Sequence, residues 1–258
     1  MINKTTLLLV LFFGISATVL AYNNTYALVV GVADYKYYSS DNGDLSYTVN
    51  DARDFCTFLQ SKKGGSVPVS NIVLLTDAQA SRANIIAKGK ALFAKAKKDD
   101  RVIFYFSGHG SKGCFVPYDS EALWFDDVKA IFRCSKSSTK LLFADACFSG
   151  GMKKDLANNA KWKKDLEKGV KAASNMNIAV MMSCQGDEVS IEDPSLGNGL
   201  FTYYLMEGLG GKANRDGNKF VTIQELFYYV YHKVQNRNRN QTPELFGKFD
   251  LRLIVSKV

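Results

Sequence analysis

Five stretches of the chain are apolar almost without interruption: residues 26–32, 72–75, 101–107, 140–145 and 177–183. Each has the length of a strand, and none alternates apolar with polar positions. Such runs belong to strands covered on both faces, which predicts a largely parallel sheet. Between them the apolar spacing changes to three and four. Ala52, Phe55, Cys56 and Leu59 mark a helix over 49–59, and Ser81 caps one that carries Ile85, Ile86, Ala91 and Leu92. A short helix is expected over 126–132 and another over 200–209. Thr222 and Glu225 form a capping box ahead of 226–234. Residues 249–255 are expected to close the sheet as its last strand. The order predicts an α/β helix–sheet–helix sandwich around a mostly parallel sheet of about six strands.

Residues 1–21 stand outside this pattern. Lys4 precedes an apolar run over 7–20, and Val19-Leu20-Ala21 offers small residues for cleavage, as in a secretory signal. An uncleaved membrane anchor is the alternative, although the run is short for a bilayer. The expected location is secreted or periplasmic. The mature part divides into a larger portion (22–150), an exposed connection (151–175) with seven lysines, and a smaller portion (176–258).

Composition narrows the function classes. With 47% hydrophobic and 22% charged residues the chain is globular rather than disordered. A net charge of +8 is modest and spread out, so no nucleic-acid partner is expected, nor a membrane partner once the leader is removed. Of five cysteines, Cys56 and Cys184 sit in apolar surroundings and are read as small core residues.

Two predicted strands end in chemically loaded turns. The third runs into Ser107-Gly108-His109-Gly110, the fourth into Asp145-Ala146-Cys147. In an open parallel sheet such turns gather at the carboxyl edge. If the strands are neighbours, His109 faces Cys147. An imidazole beside a thiol produces the thiolate, and the backbone N–H groups of Gly110 and Cys147 are candidate donors to an oxyanion. The plain alternatives are a histidine that shapes a turn and a buried thiol. No Cys-x-x-Cys or His-x-x-His spacing points to a metal. His232, the other histidine, lies among helix aromatics and is read as structural.

These residues resemble the caspase-like cysteine peptidases, and metacaspases more than animal caspases. The matching pieces are YALVVGVADY (26–35), VNDARDF (49–55), FYFSGHG (104–110), DACFSG (145–150), SCQGDEVSIE (183–192) and NGLFTYYL (198–205). The histidine lies 38 residues before the cysteine, closer than the caspase spacing of about fifty. The resemblance implies a caspase-like fold, a Cys147–His109 dyad and cleavage of peptide bonds. It places Asp51 and Asp145 in the pocket for the residue before the cut bond (P1), with Asp187 as a third wall and Ser183 lining the cleft. Two carboxylates in one pocket call for a cation, so the expected P1 residue is arginine or lysine. Asp51 as an ordinary acid at a helix start is the alternative. No cofactor is required by this chemistry. Calcium enters only through the family, with Asp126 and Asp127 as candidate ligands, whereas Lys153 and Lys154 stand where a later acidic ligand would help. Phe148 occupies a position where many metacaspases have histidine. Lysines in 151–175 are expected sites of self-cleavage. Other readings are a silent caspase-like binding module and a legumain-like or clostripain-like peptidase.

Overall fold

Unbroken apolar strands need cover on both sides, and β1 (Thr25–Gly31) shows how it is supplied: Ala27, Leu28, Val29 and Val30 are all fully buried. In a computed structural model of the chain, residues 22–38, 43–111, 113–146, 177–185 and 188–258 are described. The elements follow in order as α1 (Thr48–Gln60), β2 (Ile72–Thr76), α2 (Arg82–Phe93), β3 (Arg101–Ser107), β4 (Gly110–Ser111), β5 (Cys114–Phe115) and β6 (Leu123–Trp124). Then come α3 (Phe125–Arg133), β7 (Thr139–Asp145), β8 (Ile178–Met182), β9 (Glu192–Asp193) and β10 (Asn198–Gly199). The chain finishes with α4 (Leu200–Glu207), β11 (Phe220–Thr222), α5 (Ile223–Arg237), β12 (Glu244–Gly247) and β13 (Ile254–Lys257).

Among the described residues the main sheet has six strands in the order β12-β8-β7-β3-β1-β2. All neighbours are parallel except β12, which runs antiparallel to β8. Leu28, Val30, Phe104 and Leu142 point to one face and pack with α2 and α3. Ala27, Val29, Tyr105 and Phe143 point to the other and pack with α1, α4 and α5. This is the expected sandwich.

The last strand differs from expectation. Residues 249–255 do not close the sheet; β12 does, and β13 pairs instead with β11 in a separate ribbon. Asp250 and Arg252 pair within a turn that leaves Leu251 exposed, so the apolar residues there never form a continuous strand. The true edge strand, Glu-Leu-Phe-Gly, is short and half-buried, which is how edges escape detection by apolar runs. The helix expected over 200–209 ends at Glu207 and passes into a π turn, Gly208–Lys212.

The chain enters β1 at the amino edge of the sheet. Asn24 donates its backbone and side-chain N–H groups to Asp100, and the buried Arg101 guanidinium lies over the Tyr22 ring.

Candidate active site

Gly31, Ser107 and Asp145 lie side by side in register at the ends of β1, β3 and β7. Because these strands are parallel, the turns that follow β3 and β7 leave from one edge. The Gly108 N–H donates to the Asp145 carbonyl at 3.1 Å and ties the two turns together. A Cβ at Gly108 would sit 2.8 Å from the Tyr35 hydroxyl, so this turn admits glycine alone. His109 follows two residues beyond Ser107. Cys147 follows two residues beyond Asp145 and lies outside the described residues, as do Phe148, Asp187, residues 1–21 and the lysine-rich stretch 151–175.

His109 is held on two sides. Its backbone N–H donates to the Tyr35 hydroxyl at 2.6 Å, and its Nε2 lies 2.5 Å from the Gly43 carbonyl. A carbonyl only accepts, so Nε2 carries a proton and Nδ1 is the nitrogen that serves as base in the neutral ring. Tyr35 also packs its ring 4.9 Å from the imidazole, which fixes the plane of the ring. Gly110 begins β4 and is buried.

Asp51 and Asp145 come together from different elements. Asp51 lies in the first turn of α1, yet its carboxylate is 1% exposed and points into the protein. It accepts from Ser107 Oγ at 2.8 Å, Asn198 Nδ2 at 3.0 Å and the Gly199 N–H at 2.9 Å. Asp145, at the end of β7, accepts from Ser190 Oγ at 2.5 Å, Thr202 Oγ1 at 2.8 Å and the Thr202 N–H at 3.0 Å. Since Thr202 spends its proton on Asp145, the buried Tyr105 hydroxyl donates to Thr202 at 2.6 Å. Burial pushes the Asp51 carboxyl up to about 8, with the negative charge of Asp145 adding to the rise. Asp145 is raised as well, by burial first and by Glu192 in the same direction. Glu192 itself accepts from the backbone of Ser46 and Tyr47, at a helix start that has no side-chain cap of its own. A carboxylate offers about four acceptor positions, so each aspartate keeps one beyond the three filled from among the described residues.

Ser183 is fully buried. Its hydroxyl accepts from the Ala146 N–H at 3.1 Å and donates back to the Ala146 carbonyl at 3.2 Å, so it braces the turn before Cys147 and does not reach a cleft. Asp126 pairs with Lys129 on α3. Asp127 accepts both nitrogens of an Arg82 fork and also the Trp124 N–H at 3.1 Å. In this arrangement the oxygens of the two candidate calcium ligands face two cations and a backbone donor. Among the described residues no three His, Cys, Asp or Glu side chains converge as metal ligands.

Three of the other cysteines, Cys56, Cys114 and Cys184, are buried. Burial pushes the Cys56 thiol up to about 12 and Cys114 to about 11, far from the thiolate at neutral pH. Cys184 is buried directly after β8 and touches the Ala146 carbonyl at 3.6 Å.

Sequence reasoning missed Ser107, Asn198, Gly199, Thr202 and Ser190 around the carboxylates, and Tyr35 and Gly43 around the histidine. Gly199 is the clearest loss: a Cβ there would lie 2.3 Å from Asp145 Oδ2 and 3.0 Å from Asp51 Oδ2. Most of these residues sat inside the quoted motifs, but nothing in one chain says which hydroxyl meets which acid.

Known proteins resemble this chain. Metacaspase-1A of Aspergillus oryzae is 34% identical over 92 residues, covering 33% of this chain and 20% of the relative. Metacaspase-2 of Arabidopsis thaliana is 24% identical over 252 residues, 83% of this chain and 58% of the relative. The chain thus spans less than two thirds of these relatives. A crystal structure of a Geobacter sulfurreducens protein matches with a TM-score of 0.62 at 18% identity, covering 88% of this chain and 94% of that one, a likeness of fold alone. The family model of the caspase domain matches residues 24–252, across the whole sheet and every described part of the site, and the chain belongs to that family.

Proposed function

We propose that the chain is a cysteine endopeptidase that cuts after arginine or lysine, with Cys147 as nucleophile and His109 as base. The observation that carries the reading is the buried pair Asp51 and Asp145 around Gly199, beside the turn that bears His109. Two buried carboxylates, Asp51 raised further by the charge of Asp145 and Asp145 by that of Glu192, are stabilised by a cation between them. A guanidinium matches spare carboxylate acceptors in bidentate fashion, so arginine is favoured over lysine.

The chemistry follows from the imidazole's tautomer. Nδ1 takes the thiol proton while the Gly43 carbonyl holds Nε2–H. The thiolate adds to the scissile carbonyl, and the N–H groups of Gly110 and Cys147 receive the oxyanion. The imidazolium returns its proton to the leaving amine, and water then hydrolyses the thioester. The first 21 residues act as an export signal in this reading, and lysines in 151–175 are sites of self-cleavage.

A positional-scanning peptide library with wild type and Cys147→Ala tests the function. Cleavage after Arg or Lys by the wild type alone is expected; cleavage after Asp, or equal rates in both proteins, would overturn it. Intact mass of the same two preparations tests self-cleavage, which identical fragments in both would remove.

A further inference from the structure

Gln241, in the segment between α5 and β12, is fully buried although its carboxamide is strongly polar. A buried amide persists when its donors and acceptor are matched, and these are. Its Nε2 donates to the Ser183 carbonyl at 3.2 Å and to Ser190 Oγ at 3.1 Å, while its Oε1 accepts from the Ile191 N–H at 3.1 Å. The Ile191 N–H can only donate, which fixes the way the amide faces. Its backbone is held too, since Gln235 of α5 donates to the Gln241 carbonyl at 2.8 Å.

Direction is the important property. A serine hydroxyl has one hydrogen. With an amide N–H occupying a lone pair of Ser190 Oγ, that hydrogen is left for Asp145 Oδ1, 2.5 Å away. The second amide contact holds the backbone of Ser183, whose hydroxyl pins Ala146 on both its N–H and its carbonyl. Ala146 is the residue before Cys147.

We infer that Gln241 is a positioning residue of this site, aiming Ser190 at Asp145 and steadying Ser183 beneath the Ala146 turn. It touches no substrate and acts through the two serines. The inference rests on the peptidase reading above.

A double-mutant cycle on Gln241→Met and Ser190→Ala tests it, using arginyl reporters and matched reporters with the uncharged citrulline at P1. Each single change is expected to lower kcat/KM for the arginyl reporter by about tenfold or more, the scale of a hydrogen bond to a charged group. The citrulline reporter is expected to lose less, because it does not use the Asp145 charge. The double variant is expected to be no worse than the more damaged single variant. Losses that multiply, or an unchanged arginine-to-citrulline ratio in Gln241→Met, would overturn the positioning role. If Gln241→Met does not fold, Ser190→Ala carries the test alone, and an unchanged ratio in it overturns the role equally. A wild type that cuts no basic reporter would instead overturn the peptidase reading, and this inference with it.

Discussion

Asp51 and Asp145 approach the same glycine from two sides. One carboxylate arrives from the first turn of α1 and the other from the end of β7, and a Cβ on Gly199 would lie within 3.0 Å of both. The proposed pocket for a basic side chain would depend on the absence of a methyl group as much as on the presence of two carboxyls.

Gly199→Ala is therefore expected to impair the pocket without straining the backbone, whose φ of −58° suits any residue. The methyl group would press on Asp145 Oδ2 at 2.3 Å and displace it. Steady-state kinetics on arginyl peptides should show a fall of about tenfold to a hundredfold in kcat/KM, the scale of a disturbed charged hydrogen bond. An unchanged value would mean that the pair does not hold the substrate.

Asp51→Asn separates charge from shape. A carboxyl whose folded pKa lies above its unfolded one contributes stability that is full below the unfolded value and is lost as pH rises through the folded value. For Asp51 that loss runs from the ordinary carboxylate range up to about 8. Melting temperatures of the free protein should fall from pH 5 to pH 9, and Asp51→Asn should flatten that slope while weakening arginyl-peptide binding. A steeper slope in the variant would contradict the assignment.

The same linkage gives a sign for ligand binding. A guanidinium between the two carboxylates favours their charged forms, so binding releases protons and tightens as pH rises toward 8. Calorimetry of an arginyl peptide aldehyde with Cys147→Ala protein, in buffers of different ionisation heats, should show net proton release at pH 7. Proton uptake is the contrary result.

Tyr35→Phe removes the acceptor that the His109 N–H meets at 2.6 Å. A buried donor left unmatched costs about 1–3 kcal/mol. A drop of several degrees in melting temperature is expected, with a lower kcat as the histidine turn loosens; loss of stability with kcat intact would show that the turn tolerates the change.

Asp127→Asn should act on stability and not through calcium. Arg82 and Asp127 are only partly exposed (33% and 22%), and the pair also closes the start of α3. Removing it is expected to cost about 1 kcal/mol. Thermal melts with calcium and with a chelator should show the same deficit in both; a deficit confined to the calcium sample would reinstate this aspartate as a ligand.

The fold was legible where burial is two-sided. Runs such as 101–107 and 140–145 have no other stable home than a covered sheet, and their shared edge followed from parallel pairing. β12 was illegible because an edge strand needs apolar cover on only part of its length. His109, Asp51 and Asp145 stood out through their motifs. Their partners did not: Ser190, Thr202 and Gln241 are ordinary polar residues until tertiary contact decides which proton goes where. Ser183 illustrates the limit, since position in a motif suggested a cleft while full burial makes it a brace.

Tyr22 and Asn24 are fastened at the amino edge of the sheet, to Arg101 and Asp100. His109 hangs from the other end of that same seven-residue strand, about 20 Å away at some 3.3 Å per residue. Any tether preceding Tyr22 thus pulls on the pole remote from the carboxylates.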